Sequence, residues 1–370
     1  MRILIAPDKF KGTLSAREVA EAIASGLRDV LPDAKIDIVP LADGGEGTAE
    51  VISNALGAEW VKCEAHDPLG RQIEAGYGWV GKQKLAVMEM SEAAGMRRLG
   101  DKKRDPLRAT TFGVGEMILH AHRGGAIEIL IGLGGSATND GGFGMARAIG
   151  YRFFDAKRAH EFRTAVGKLI NLEQIQKPKH LSLPKITTAV DVKNPLLGSN
   201  GATRVFGPQK GVTADRMKIL ERALTRLADV VAKEFGFDHR KEPGAGAAGG
   251  LGFGLMSFCR AKIRSGFDVV AESVGLESRI KDVDLVITGE GSLDRQTLEG
   301  KTPAGVARLA HKLGKRVLAF VGRASDDPEL RKLFNGVYTN ARAGMSDEEN
   351  MKLAAELLRD NARQFAKTLK

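Results

Sequence analysis

The sequence predicts an α/β protein of two domains: a doubly wound parallel sheet built from both ends of the chain, and a second α/β domain with a mixed sheet inserted into it. Three observations carry this. Residues 2–56 read strand, loop, helix, strand, loop, helix, the start of a parallel sheet. The chain from 283 onward repeats the pattern. The stretch between has short antiparallel-looking runs and most of the glycine. A chain of 370 residues fits two domains at about 100–200 residues each. The boundaries read as 1–57 plus 283–370 for the doubly wound domain and 58–282 for the insert.

A strand over 2–6 leads through Pro7-Asp8-Lys9-Phe10-Lys11-Gly12-Thr13 into a helix over 15–30. Ala16, Val19, Ala20, Ile23 and Leu27 share one face of that helix, and Thr13 or Ser15 supplies its N-cap. A second strand, 35–41, runs through Ala42-Asp43-Gly44-Gly45-Glu46-Gly47-Thr48 into a helix over 46–56. At the far end come a strand over 283–288 and a helix over 303–313 with Thr302 as N-cap and Pro303 at N1. A strand over 316–321, a short helix near 330–334, a strand over 336–339 and a closing helix from 346 follow. In the middle, 72–80 and 84–90 look antiparallel, 127–131 is an apolar strand, and 213–235 is a long charged helix.

Composition narrows the function. Cys63 and Cys259 cannot make a disulfide framework, which points to a reducing compartment. Apolar runs such as 317–321 fall far short of the ~20 residues of a membrane span. The opening MRILIAPD is broken by Pro7 and Asp8 before a signal segment forms, so a cytoplasmic location without membrane contact is expected. Net charge is 56 − 46 = +10, but the basic residues are scattered, with small clusters such as Asp101-Lys102-Lys103-Arg104. With only 5% aromatics there is no base-stacking platform, and nucleic acid is not the expected partner. Anionic small substrates account for the positive field equally well.

Chemistry concentrates in five loops, where glycine lets backbone N–H groups approach anionic oxygens. In 7–13, Lys9 and Lys11 before a helix suit a phosphate or carboxylate; a solvated turn is the competing explanation. In 42–48, Asp43 at a strand end suits Mg²⁺ or a hydroxyl, or else caps the next helix. The loop Gly132-Leu133-Gly134-Gly135-Ser136-Ala137-Thr138-Asn139-Asp140-Gly141-Gly142 follows a strand and resembles a phosphate cradle at a helix start. Gly244, Gly246 and Gly249 pass a loose dinucleotide search, yet follow a helix where a strand is needed; a close-packed helix start competes. That spacing keeps open an NAD(P)-dependent dehydrogenase of a small hydroxy acid. In 288–303, Gly300-Lys301-Thr302 echoes a P-loop, but Arg295 stands where the pattern needs glycine. What remains is Glu290, Asp294 and Lys301 near a helix start, suited to a metal–nucleotide site or to a capped turn. Asp191 and Asn194 in Val190-Asp191-Val192-Lys193-Asn194-Pro195, and Lys210 in a Gly/Pro loop, read singly as turns.

Taken together, PDKFKGTLSA, LADGGEGT, GLGGSATNDGG, DVKNPLLG, VFGPQKG, GAGAAGGLG and VITGEGSLDRQTLEGKTP resemble the glycerate kinase family, in order from residue 7 to 303. The resemblance spans essentially the whole chain. It implies a flavodoxin-like domain carrying an inserted one, with the active site in the cleft between them. It further implies ATP and Mg²⁺ as co-substrates, D-glycerate as acceptor at its 2-hydroxyl, and a monomer or homodimer. On that basis Asp191, Lys9 and Lys11 are expected to be catalytic, Asp191 as the carboxylate that takes or orients the hydroxyl proton, with Asp43 and Asp294 as rivals. Asp8, Asp43, Gly44, Gly45, Gly134, Gly135, Ser136, Asn139, Asp140, Asn194, Lys210 and Lys301 are expected to bind glycerate or nucleotide, and Glu290 and Asp294 to hold the metal. Departures are mild: the family more often has Asn before Pro106, and usually a proline near Gly344-Met345-Ser346.

Overall fold

Parallel pairing begins at the first strand of this computed structural model, which describes residues 1–100, 104–156, 160–342 and 344–369. Lys102 and Lys103 of the basic cluster lie outside the described residues. β1 (Arg2–Ile5) pairs in parallel with β2 (Lys35–Ile38) across the helix Ala16–Arg28, whose N-cap Ser15 and Glu18 form a capping box. Next along the chain come β3 (Glu59–His66), β4 (Gln72–Val80), β5 (Leu85–Glu89), β6 (Glu128–Gly132), β7 (Arg152–Phe154), β8 (Gln174–Gln176), β9 (Lys185–Val190) and β10 (Lys262–Ser265). β11 (Leu285–Thr288), β12 (Ser292–Leu293), β13 (Arg316–Val321), β14 (Arg323–Ala324) and β15 (Gly336–Thr339) complete the strands.

The chain forms two compact units, 1–43 with 265–370, and 44–264. The terminal unit carries a parallel sheet in the order β15-β13-β11-β1-β2. Counted within the unit this is 2-1-3-4-5 from one edge, the flavodoxin-like winding, with its topological switch between β1 and β11. Ile3, Ile5, Ile287 and Phe320 pack against Ile23 and Leu27 of the first helix and Leu358 and Phe365 of the last. Gly26 lets the two helices meet, because a Cβ there would lie 2.0 Å from the Arg359 carbonyl oxygen.

The inserted unit has a mixed sheet in the order β10-β9-β6-β5-β4-β3. β3, β4 and β5 are antiparallel in turn, while β5, β6 and β9 run parallel. Its core includes Phe153, Phe253 and Phe258, and among the described residues no helix is long and apolar enough to cross a membrane.

Several sequence expectations shift. The breaks at 57 and 283 become 43 and 264. The helix Thr48–Leu56 packs on β4, β5 and β6 of the insert, and the helix Gly266–Ser273 packs its Phe267 ring on Gly305 of the terminal unit. A break read from composition cannot tell which sheet a crossover helix will cover. Thr302 is not the N-cap of Thr302–Lys312: Lys301 takes that position with extended backbone, which frees the Thr302 hydroxyl for a distant partner. The closing helix is two, Asp347–Lys352 and Ala354–Lys367.

Candidate active site

In an open parallel sheet the crevice beyond the strand ends at the switch point is where ligands bind. In the terminal unit that place falls where β1 runs into Asp8 and β11 into Glu290. The two extensions stay paired: the Ala6 and Asp8 amides donate to the Ile287 and Gly289 carbonyls at 2.7 and 2.8 Å. Asp8 is buried, and its carboxylate accepts from the Lys9 amide (Oδ1, 2.7 Å) and the Thr302 hydroxyl (Oδ2, 2.7 Å). Burial, reinforced by the Asp43 charge, pushes Asp8 up to about 7 against the pull of Thr302 and Lys9. Glu290 repeats the device. It is buried, its Oε1 accepts from the Thr297 hydroxyl at 2.6 Å, and that hydroxyl accepts from the Asp294 amide at 3.2 Å. Burial, with Asp8 and Asp294 adding to it, raises Glu290 to about 7 while Thr297 and Lys301 oppose.

The structure therefore brings Asp8, Lys9, Asp43, Glu290, Asp294 and Lys301 into one electrostatic cluster. Lys11 is exposed on its turn. Among the described residues no three acidic, His or Cys side chains form a metal cage. Mg²⁺ needs no cage: it takes one or two protein carboxylates and completes its shell with phosphate oxygens and water. Glu290 and Asp294 fit such an ion, being hard oxygen donors whose mutual repulsion a cation would relieve.

In the inserted unit, β5, β6 and β9 end on a common edge and glycine-rich loops follow. Gly134 lies against the 44–48 loop, since a Cβ on it would be 2.5 Å from the Glu46 amide nitrogen and from Gly45 Cα. Beneath them sits Glu89, which the sequence reading missed. Its Oε1 accepts from the Gly47 and Ala49 amides at 2.7 and 3.1 Å and its Oε2 from the Ser91 hydroxyl at 3.0 Å, capping the helix Thr48–Leu56. The one available signal was an acidic residue closing an apolar run in Leu85-Ala86-Val87-Met88-Glu89.

The helix start predicted to face an anion is instead closed from within. Asp140, fully buried, accepts from the amides of Thr111 (2.9 Å), Gly142 (3.1 Å) and Gly144 (3.0 Å) and from the Thr111 hydroxyl, capping Phe143–Ala148. Lys210 is also buried, with Nζ donating to the Thr138 carbonyl at 2.6 Å and the Ser136 hydroxyl at 3.2 Å. Burial lowers it to about 7, with Asp140 opposing. Asn139 donates to the Thr203 hydroxyl at 3.0 Å, while its buried Oδ1 meets no donor among the described residues. Ser136 and Asn139 are thus held by 203–210, and Gly135 keeps its turn at φ +70°.

Two further expectations change. Asp191, directly after β9, is exposed, so the cost of a buried charge does not single it out. Asn194 ties its own loop through a 2.7 Å bond to the Asn200 carbonyl. The 244–252 glycines are packing residues. A Cβ on Gly246 would lie 2.3 Å from the Pro195 carbonyl oxygen, one on Gly249 2.0 Å from that of Thr138, and one on Gly252 2.1 Å from that of Gly244. Backbone packing accounts for the spacing that had kept a dinucleotide site open.

Comparison with known proteins agrees with this fold. The model of the glycerate kinase family matches residues 3–370. The chain is 46% identical over 334 residues to the glycerate 2-kinase of Escherichia coli strain K12, covering 88% of this chain and 86% of the relative. It is 41% identical to the glycerate kinase of Bacillus subtilis strain 168, over 100% and 98% of the two chains. A crystal structure from Salmonella typhimurium LT2, provisionally named glycerate kinase 2, superposes with a TM-score of 0.86 at 42% identity, covering 100% of this chain and 98% of that one.

Proposed function

The chain belongs to the glycerate kinase family, and from that premise we propose that it transfers the γ-phosphoryl group of ATP to the 2-hydroxyl of D-glycerate, giving 2-phosphoglycerate and ADP. The observation that carries this reading is the switch-point cluster, in which Asp8, Asp43, Glu290 and Asp294 stand with Lys9 and Lys301 beyond the ends of β1 and β11. Phosphoryl transfer asks little covalent chemistry of a protein. It needs positioning, counter-charge for the phosphates, and a carboxylate for the attacking hydroxyl. Lys9 and Lys301 supply charge at the cluster. Backbone amides at Gly135 and Ser136, on the turn that Gly135 makes at φ +70°, are suited to phosphate oxygens. Glu290 and Asp294 would hold Mg²⁺, which when bound offsets the triphosphate charge.

Incubation of the purified protein with ATP, Mg²⁺ and D-glycerate, followed by NMR identification of the phosphorylated carbon, tests the proposal. The expected product carries phosphate on C2, and excess chelator abolishes turnover. Phosphate on C3 would overturn the regiochemistry, and turnover unchanged in chelator would overturn the metal requirement.

A further inference from the structure

The acceptor hydroxyl must lose a proton as its oxygen attacks phosphorus. Asp191, the expectation from sequence, is exposed at its strand end. Asp8 differs in three respects. It stands at the switch point and is buried. Its two oxygens are each fixed by one donor at 2.7 Å, and a carboxylate oxygen has two acceptor positions, so each keeps one for a substrate hydroxyl. Burial, with the Asp43 charge adding to it against the pull of Thr302 and Lys9, keeps it a stronger base than an ordinary carboxylate.

Thr302 is the second half of the arrangement. It begins the helix Thr302–Lys312, is fully buried, and spends its hydroxyl on Asp8, 294 residues away in sequence. Lys301 and not Thr302 is the N-cap of this helix, so the Thr302 hydroxyl is not called on for capping. On the phosphotransfer reading above, we infer that Asp8 is the group that takes the proton of the acceptor hydroxyl, and that Thr302 is the residue that positions it. The substrate O–H bond breaks with its proton passing to the Asp8 carboxylate. The O–P bond to the γ-phosphorus forms, and the bond from that phosphorus to the bridging oxygen breaks, with its electron pair leaving on ADP.

Steady-state kinetics with ATP, Mg²⁺ and D-glycerate on the wild type, Asp8→Asn, Thr302→Val and Thr302→Ser decides this. Asp8→Asn should lower kcat about 10²–10⁴-fold with KM for D-glycerate changed less than about threefold. Thr302→Val, which keeps the side-chain shape and removes the hydroxyl, should lower kcat roughly tenfold at similar KM, and Thr302→Ser should restore most of it. The Mg²⁺ concentration for half-activation should stay put in all four proteins. A folded Asp8→Asn with near-native kcat overturns the assignment. So does an Asp8→Asn defect that more Mg²⁺ repairs, since Asp8 would then hold the metal. Equal impairment by valine and serine overturns the positioning role. Should Asp8→Asn not fold, the valine and serine pair decides alone. An inactive wild type removes the phosphotransfer reading and this inference with it, whereas an active wild type beside an active Asp8→Asn removes only the inference.

Discussion

The switch-point cluster and the 132–142 loop look alike in sequence, each an acidic, glycine-bearing turn after an apolar strand, yet they use their charges in opposite ways. Asp140 is also pushed up by its burial, but it is surrounded by donors, three amides and a hydroxyl, that oppose the push, and it works as a cap. Asp8 and Glu290 receive far fewer hydrogen bonds and are pushed up to about 7 by burial, with neighbouring carboxylates adding to it and Lys9 and Lys301 opposing. A buried carboxylate saturated by its own backbone holds a structure together. One left short of donors among its own kind costs stability, which is the pattern of a site kept for chemistry.

The comparison can be broken at its packed end first. Gly249→Val would force a branched side chain into φ +68° and within 2.0 Å of the Thr138 carbonyl, so a loss of at least about 4 kcal/mol is expected in urea unfolding. A native midpoint would show that the glycine ladder is not tightly packed. Next, Asp140→Ala leaves buried amides at 111, 142 and 144 without their acceptor and should cost about 3 kcal/mol by the same measurement. The smallest effect has the opposite sign. Asp8→Asn should stabilise the ligand-free protein by roughly 1–2 kcal/mol at pH 8. Because the folded group titrates near 7 and an unfolded aspartate near 3.8, the native state binds the extra proton between these values. The wild type therefore loses stability as pH rises through that window, and the advantage of asparagine should fade as pH falls toward 4. A variant destabilised at pH 8 would place Asp8 with Asp140 as a structural carboxylate.

Much of the fold was legible because it is local. The strands 316–321 and 336–339 match β13 and β15, and the candidate cluster falls in loops at strand ends, as the pattern of strand, loop and helix suggests. What escaped depends on partners far apart in sequence. Nothing near Asp140 announces Thr111, and nothing near Thr302 announces Asp8, so one carboxylate was read as a ligand and one hydroxyl as a cap. Asp191 ends an apolar run, but a strand end fixes position and not depth. Glu89 escaped because its role depends on amides 40 and 42 residues upstream.

The terminal sheet also sets an order of events on the ribosome. The amide of Arg2 bonds to Asp284, 282 residues downstream, and β1 cannot gain its β11 neighbour until that part of the chain has been made. At 5–20 residues per second the delay is roughly 14–56 s. Throughout it, β1 and the apolar face of the first helix have no finished layer to join, whereas all strands of the inserted sheet are synthesised before it ends. The nascent chain thus carries its earliest-made apolar segments as its last-sheltered ones, and chaperone demand should centre on the first 43 residues and not on the long glycine-rich middle.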